Sequence, residues 1–179
     1  MCHAQEKCGK GNIALIGFMG SGKSTVSAFL QEKMGMEAVD TDRMIVEREG
    51  MSIDRIFEQF GEEYFRRCES DVIAGLRNRT RTVISCGGGA VLRPVNVENL
   101  KKVGCIVLLT ASPETILERV KDSDERPILK GNKNVPFIAA LMEKRRGAYE
   151  AAADIVVHTD GKTVEEICNE IIANPLCAR

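Results

Sequence analysis

The chain has 179 residues, 44% of them hydrophobic and 28% charged, which is enough for one domain with a true core and argues against disorder. Its 25 basic and 26 acidic residues leave a net charge of −1, which disfavours a broad nucleic-acid face. No run approaches the ~20 apolar residues of a membrane span, and the first residues, Met-Cys-His-Ala-Gln-Glu-Lys, have no apolar signal core. The expected location is the cytosol.

In chain order, Ile13–Ile16 reads as a buried strand. A helix follows from Lys23 to near Gly35, with Val26, Phe29, Leu30 and Met34 at helical spacing. Glu37–Val39 is a short second strand closed by Asp40-Thr41-Asp42, and a polar helix follows to Gly50. Ser52 caps a helix over Ile53 to Phe60, whose Ile53, Ile56, Phe57 and Phe60 share a face, and Gly61 interrupts it. A long helix is predicted from about Glu62 to Arg79, with Phe65, Cys68, Val72 and Leu76 as its buried stripe. Thr82–Ser85 is a strand running into Gly87-Gly88-Gly89, and Cys105–Leu109 is the most apolar strand. Ser112 and Pro113 mark a helix start. Residues 121–135 are polar and read as a mobile surface loop. Ile138, Leu141 and Met142 belong to the next helix, Ile155–Val157 to a last strand, and Val164, Ile167, Cys168 and Ile171 to a final helix. Strands separated by helices imply a parallel sheet covered on both faces, an α/β fold in one domain, 1–179.

Gly17 to Ser24 read G-F-M-G-S-G-K-S, a full G-x-x-x-x-G-K-[ST] phosphate-binding loop between a strand and a helix. Such a loop surrounds phosphate oxygens with backbone N–H groups at a helix N-terminus. Gly17, Gly20 and Gly22 let the backbone turn and approach closely. Lys23 is expected to reach the outer phosphates, the Ser24 hydroxyl to meet Mg²⁺, and Thr25 to add a second hydroxyl. A bound nucleoside triphosphate is the expectation.

Asp40 and Asp42 follow the second strand, at the sheet edge where α/β folds bind ligands. Spacing leaves two readings open: one carboxylate steadies Mg²⁺ while the other takes a proton from an acceptor hydroxyl, or an Asp, Asp42 included, caps the next helix. Arg66 and Glu69 share a helix face, with Glu62 one turn earlier. They are either surface ion pairs, the reading that elementary electrostatics favours, or a device in which Glu69 orients Arg66 to grip a carboxylate. The triple glycine at 87–89 is expected to offer backbone N–H groups to a ligand. Arg126 lies in the polar loop, which as a lid would exclude water. Arg145 and Arg146, in Lys-Arg-Arg-Gly-Ala-Tyr149, read as solvated helix charges when taken alone.

There are seven cysteines, an odd number with no C-x-x-C pair, mostly within apolar segments, which suits a reducing compartment. Cys2, His3 and Cys8 lack a fourth ligand nearby, and residues 1–10 are expected to form a flexible tail without metal.

The ordered set G-F-M-G-S-G-K-S-T at 17–25, D-T-D at 40–42, G-E-E-Y-F-R-R-C-E at 61–69, G-G-G at 87–89, R-P-I-L at 126–129 and R-R-G-A-Y at 145–149 resembles the shikimate kinase family across nearly the whole chain. The resemblance implies a three-layer α/β sandwich with a five-stranded parallel sheet in the order 2-3-1-4-5 and a lid near 121–135. It also implies ATP- and Mg²⁺-dependent phosphorylation of the 3-hydroxyl of shikimate, by a monomer, toward chorismate and the aromatic amino acids. Carried over residue by residue, Gly20, Ser21, Gly22, Lys23, Ser24 and Thr25 hold ATP, and Ser24 and Asp40 serve Mg²⁺. Asp42 binds the acceptor hydroxyl and serves as base, Arg66 and Arg145 grip the carboxylate, Gly88 contacts the substrate through its backbone, and Arg126 is the lid arginine. Lys23, Asp42 and Arg126 make up the catalytic set. Two places depart from the family pattern. Gly147 and Ala148 stand where proline is common, so the local helix end is expected to differ. Lys162 stands where an arginine beside the adenine is common, and lysine stacks less well on a base. A kinase for another hydroxylated acid such as gluconate is the alternative, and a catalytically silent nucleotide-binding switch is the reading from a different class.

Overall fold

The computed structural model describes residues 11–121 and 134–177. The expected tail at 1–10, most of the expected lid, and Arg126 lie outside the described residues.

Five parallel strands form one sheet in the order β2-β3-β1-β4-β5. They are β1 (Ile13–Ile16), β2 (Glu37–Asp40), β3 (Thr82–Ser85), β4 (Cys105–Thr110) and β5 (Ile155–His158). The register pairs Ala14 with Ile84 on one side and with Ile106 on the other. The three central strands are buried along nearly their whole length because both faces are covered, and the side chains alternate between two cores. Ile13, Leu15, Val83, Val107 and Leu109 face one core. That core is closed by Val26 and Leu30 of α1 (Lys23–Met34) and by Ile167 and Ile171 of α7 (Val164–Ala173). Ala14, Ile16, Ile84, Ile106 and Leu108 face the other. It is closed by the C-terminal half of α3 (Ile53–Gly75), by α4 (Pro94–Val103) and by α6 (Val135–Ala152).

Two helix groups sit beside this frame. α5 (Pro113–Val120) packs Ile116 and Val120 on Phe18 and Met19 of the phosphate loop and on Ile138. α2 (Thr41–Glu49) and α3, on both sides of Gly61, share a small core of Ile45, Ile56, Phe65, Cys68 and Val72. Gly61 has φ +78° and ψ 172°, so α3 is two helical pieces meeting at that residue. Ser52 caps the first piece through a bond from the Arg55 N–H, as the sequence predicts.

Two differences from the sequence reading have physical causes. The long helix stops at Gly75 and gives way to a 3-10 turn over Leu76–Asn78. α4 is absent from the sequence reading, because its polar Asn96, Glu98, Lys101 and Lys102 mask a stripe of Val97, Leu100 and Val103. Its start signal is Pro94 in the first turn. Gly147 and Ala148 lie inside α6, which runs on to Ala152; with no proline there the backbone keeps its helical N–H donors.

Asn12 fastens the frame at the end of the sheet away from the phosphate loop. It is buried, its amide donates to the Arg79 and Val103 carbonyls at 2.7 and 3.0 Å, and its side-chain oxygen accepts from the Thr82 N–H at 2.8 Å. One side chain thereby joins the starts of β1 and β3 to the end of α4. No described helix is long and apolar enough to cross a membrane.

Candidate active site

The C-terminal ends of β1, β2 and β3 open on one cleft of ≈ 440 Å³, bordered by the phosphate loop, Asp40, Asp42, Gly88 and Lys162. β1 enters it through Gly17, whose φ is +141° and whose Cβ, if it had one, would sit 2.3 Å from the Leu109 carbonyl oxygen, so only glycine fits. The loop then turns on Gly20 and Gly22, at φ +77° and +98°, into α1. The first N–H groups of that helix have no partners within the helix, which makes its start an anion site. Lys23 Nζ donates to the Gly17 and Phe18 carbonyls at 2.9 and 3.0 Å, which draws the ammonium back over its own loop. Ser24 and Thr25 are exposed on the cleft. Ser21 is fully buried, and its Oγ has no hydrogen-bond partner among the described residues.

β2 delivers Asp40 and Asp42. The sequence left open whether an aspartate caps α2, with Asp42 a candidate. The cap is Asp40, whose Oδ1 accepts from the Asp42 and Arg43 N–H groups at 3.0 and 3.1 Å. Asp42 sits in the first turn with its carboxylate toward the glycine turn, and both aspartates line the cleft. Thr41 is buried between them, and its Oγ1 accepts from the Gly87 N–H at 2.9 Å. This bond, which the sequence reading missed, fixes α2 against the turn.

The three glycines are a wall without side chains, and site groups press on it from several directions. A Cβ on Gly87 would lie 2.5 Å from Asp42 Oδ1 and 3.0 Å from Glu69 Oε1, and one on Gly89 would lie 2.4 Å from Arg66 Nη1. Gly88 offers its carbonyl to the Tyr149 hydroxyl at 2.5 Å and to Arg145 Nη1 at 3.3 Å. Arg66 and Arg145 do not border the nucleotide-side cleft; they reach the turn from beyond it. Arg145 is buried, whereas Arg146 is exposed and paired with Glu143.

The surface ion-pair reading of Arg66 and Glu69 is overturned by burial. Arg66 is 8% exposed and Glu69 is 0% exposed. Arg66 Nη1 meets Glu69 Oε2 at 3.0 Å, and its Nε and Nη2 meet the more exposed Glu62 at 3.3 and 3.1 Å. Burial pushes the Glu69 carboxyl above its ordinary 4.5; Arg66 pulls it down, and the nearby Asp42 charge pushes it up again. Glu69 Oε1 has no hydrogen-bond partner among the described residues.

A raised native value means that the folded state holds the Glu69 proton more firmly than the unfolded chain. The resulting stability is complete below pH 4.5 and is lost as pH rises through the raised value. Glu69→Gln removes the titration. The urea midpoint of the variant minus that of the wild type is therefore expected to grow as pH is raised from 4.5 and then level off. A flat difference would remove this account.

Cys86 also borders the cleft, but complete burial pushes its thiol far up, so it is no nucleophile. Lys162 borders the cleft, with its Nζ 2.5 Å from Glu170 Oε2. Opposite the phosphate loop stands a residue that the sequence reading missed. Arg119, in the last turn of α5, donates to the Gly20 carbonyl at 3.2 Å and to Thr159 Oγ1 at 3.1 Å. The available signal was a cation at a helix end directly before the polar loop.

The shikimate kinase family matches residues 19–174. A shikimate kinase of Geobacter sulfurreducens is 47% identical over 160 residues, which cover 89% of this chain and 88% of that protein. Among solved structures, a shikimate kinase from Acinetobacter baumannii in complex with shikimate superposes with a TM-score of 0.85 at 34% identity, over 90% of each chain. The shikimate kinase of Aquifex aeolicus gives 0.76 at 42% identity, over 90% of this chain and 94% of that one. A gluconokinase from Sinorhizobium meliloti gives 0.57 at 21% identity, over 90% and 89%, which is a likeness of fold alone. With ordered motifs, sheet topology and close relatives in agreement, the chain belongs to the shikimate kinase family.

Proposed function

We propose that this chain transfers the γ-phosphoryl group of ATP to the 3-hydroxyl of shikimate, with the residues above as the two halves of one site. The observation that carries this reading is the convergence on Gly87–Gly89. Asp42 borders the same cleft as Lys23 and the phosphate loop, while Arg66 and Arg145 meet the turn from the other side. A small acid held by those arginines would present a hydroxyl to Asp42, facing the terminal phosphate. Phosphoryl transfer needs positioning and charge neutralisation more than covalent chemistry.

In this reading the α1 N–H groups and Gly20–Thr25 bind the phosphates, and Lys23 exchanges its carbonyl partners for phosphate oxygens. Arg66 and Arg145 fix the ring through its carboxylate, and Tyr149 holds Gly88 in place. Asp42 aligns the acceptor hydroxyl and takes its proton. Arg119 and Lys162 flank the nucleoside end; of the two, the planar guanidinium is the better surface for a base.

The donor set also suits Mg²⁺. The Ser24 hydroxyl and the Asp40 carboxylate are hard oxygen ligands on the same cleft, and the two N–H bonds that cap α2 fall on Asp40 Oδ1. Among the described residues no cluster of three or more His, Cys, Asp or Glu forms a metal cage. That pattern fits an ion which keeps waters and phosphate oxygens as ligands. Bound there, it would neutralise charge on the phosphates.

ADP release measured with ATP and Mg²⁺ against shikimate, gluconate and no acceptor tests the reading. Turnover dependent on shikimate is expected. Turnover only with gluconate would transfer the site to the other acid, and no acceptor-dependent turnover would leave a nucleotide-binding protein.

A further inference from the structure

Cys105 and Cys177 lie side by side in the core face that carries α1 and α7, apart from the residues assigned to the reaction. Cys105 opens β4, and Cys177 follows α7 in a terminal turn, where its N–H donates to the Asn174 carbonyl at 2.9 Å. The two Sγ atoms are 2.9 Å apart, and the side chains are 7% and 6% exposed. A disulfide needs about 2.05 Å, so closure requires a movement of roughly 0.9 Å. The other described cysteines are engaged elsewhere. Cys68 faces Glu49, Cys168 faces the Val26 carbonyl, and Cys86 borders the reaction cleft.

We propose that Cys105 and Cys177 are a thiol–disulfide modification site that fastens the C-terminal segment to β4 when it meets an oxidised small-molecule disulfide of the glutathione class. Cys177 reacts first, because it lies in the terminal turn beside the exposed Leu176. Its thiolate attacks one sulfur of the small disulfide; that S–S bond breaks, and one small thiolate leaves and takes up a proton. Cys105 then loses its proton and attacks Cys177 Sγ in the mixed disulfide, releasing the second small thiol. Two protein thiols and one small disulfide become one protein disulfide and two small thiols. The closed loop spans α5, α6, β5 and α7. Since α7 packs on α1 and brings Val164 and Ile167 to the nucleotide cleft, the link clamps that wall.

The test uses the full chain. It is incubated natively with oxidised glutathione, quenched with an alkylating agent, and analysed by intact mass and peptide mapping. The expected result is a loss of two hydrogens, a Cys105–Cys177 peptide link, and a thermal midpoint raised by about 5–10 °C that returns on reduction. Cys177→Ser is expected to abolish the link and the rise. A glutathione adduct persisting on Cys177, a link to another cysteine, unmodified thiols, or a link without the rise each overturn the proposal. The mapping is done on the wild type, so it decides even where a variant folds poorly.

Discussion

Asp42→Asn is expected to lower kcat by about 10²–10⁴ while leaving the KM for ATP within a few-fold of wild type. Asparagine keeps the shape and one acceptor oxygen but cannot take a proton. A carboxylate is a weak base, so alignment of the hydroxyl carries much of its work, and a loss toward ~10² would mean that alignment dominates. The substitution leaves the fold intact, because the cap of α2 belongs to Asp40 rather than Asp42. It also removes one first-turn charge, worth about 0.3–1 kcal/mol to the helix. Steady-state rates with saturating ATP and varied shikimate provide the measurement. A kcat within tenfold of wild type would take Asp42 out of the reaction.

Arg66→Ala is expected to act twice. It removes a fork that can hold a carboxylate bidentately, which should raise the KM for shikimate about 100-fold. It also strips the buried Glu69 of its counter-charge, and breaking a buried pair typically costs about 3–5 kcal/mol of stability. Protonation of Glu69 recovers part of that cost, so the destabilisation should be smaller at low pH. Arg66→Lys separates the two effects: an ammonium still faces Glu69 and restores stability, but it lacks the planar fork and leaves the KM high. Nucleotide affinity should remain near wild type in both variants, by calorimetry with ADP. Equal loss of shikimate and nucleotide affinity would make Arg66 a purely structural residue.

The donor half of the site is legible in the sequence because it is contiguous: strand, glycine turn, lysine and helix lie within Ile13–Met34. The acceptor half is assembled from α2, α3, the triple glycine and α6, and its residues carry meaning only through contacts. Burial is what distinguishes Arg66 and Glu69 from a surface pair, and a spacing of three residues cannot express it. Arg145 and Arg146 are neighbours in sequence, yet one meets Gly88 and the other Glu143. Both aspartates reach the cleft, but only Asp40 caps α2, and D-T-D does not encode which. α4 escaped notice because its solvent face is rich in polar residues while its apolar stripe is only three residues long. Arg119 reaches the cleft through a tertiary contact with Gly20 across 99 positions of chain.

The small core shared by α2 and α3 is a cluster distinct from the two that flank the sheet. The phosphate loop draws its rigidity from the sheet, whereas Asp42, Arg66 and Glu69 are carried by this satellite and pinned to the frame by the Thr41–Gly87 bond. Substitutions at Ile45, Ile56, Phe65 or Val72 are therefore expected to weaken shikimate recognition more than nucleotide binding, as KM for shikimate against calorimetric ADP affinity would read. A lineage could remodel the acid it phosphorylates by repacking this one cluster, with the donor apparatus inherited unchanged.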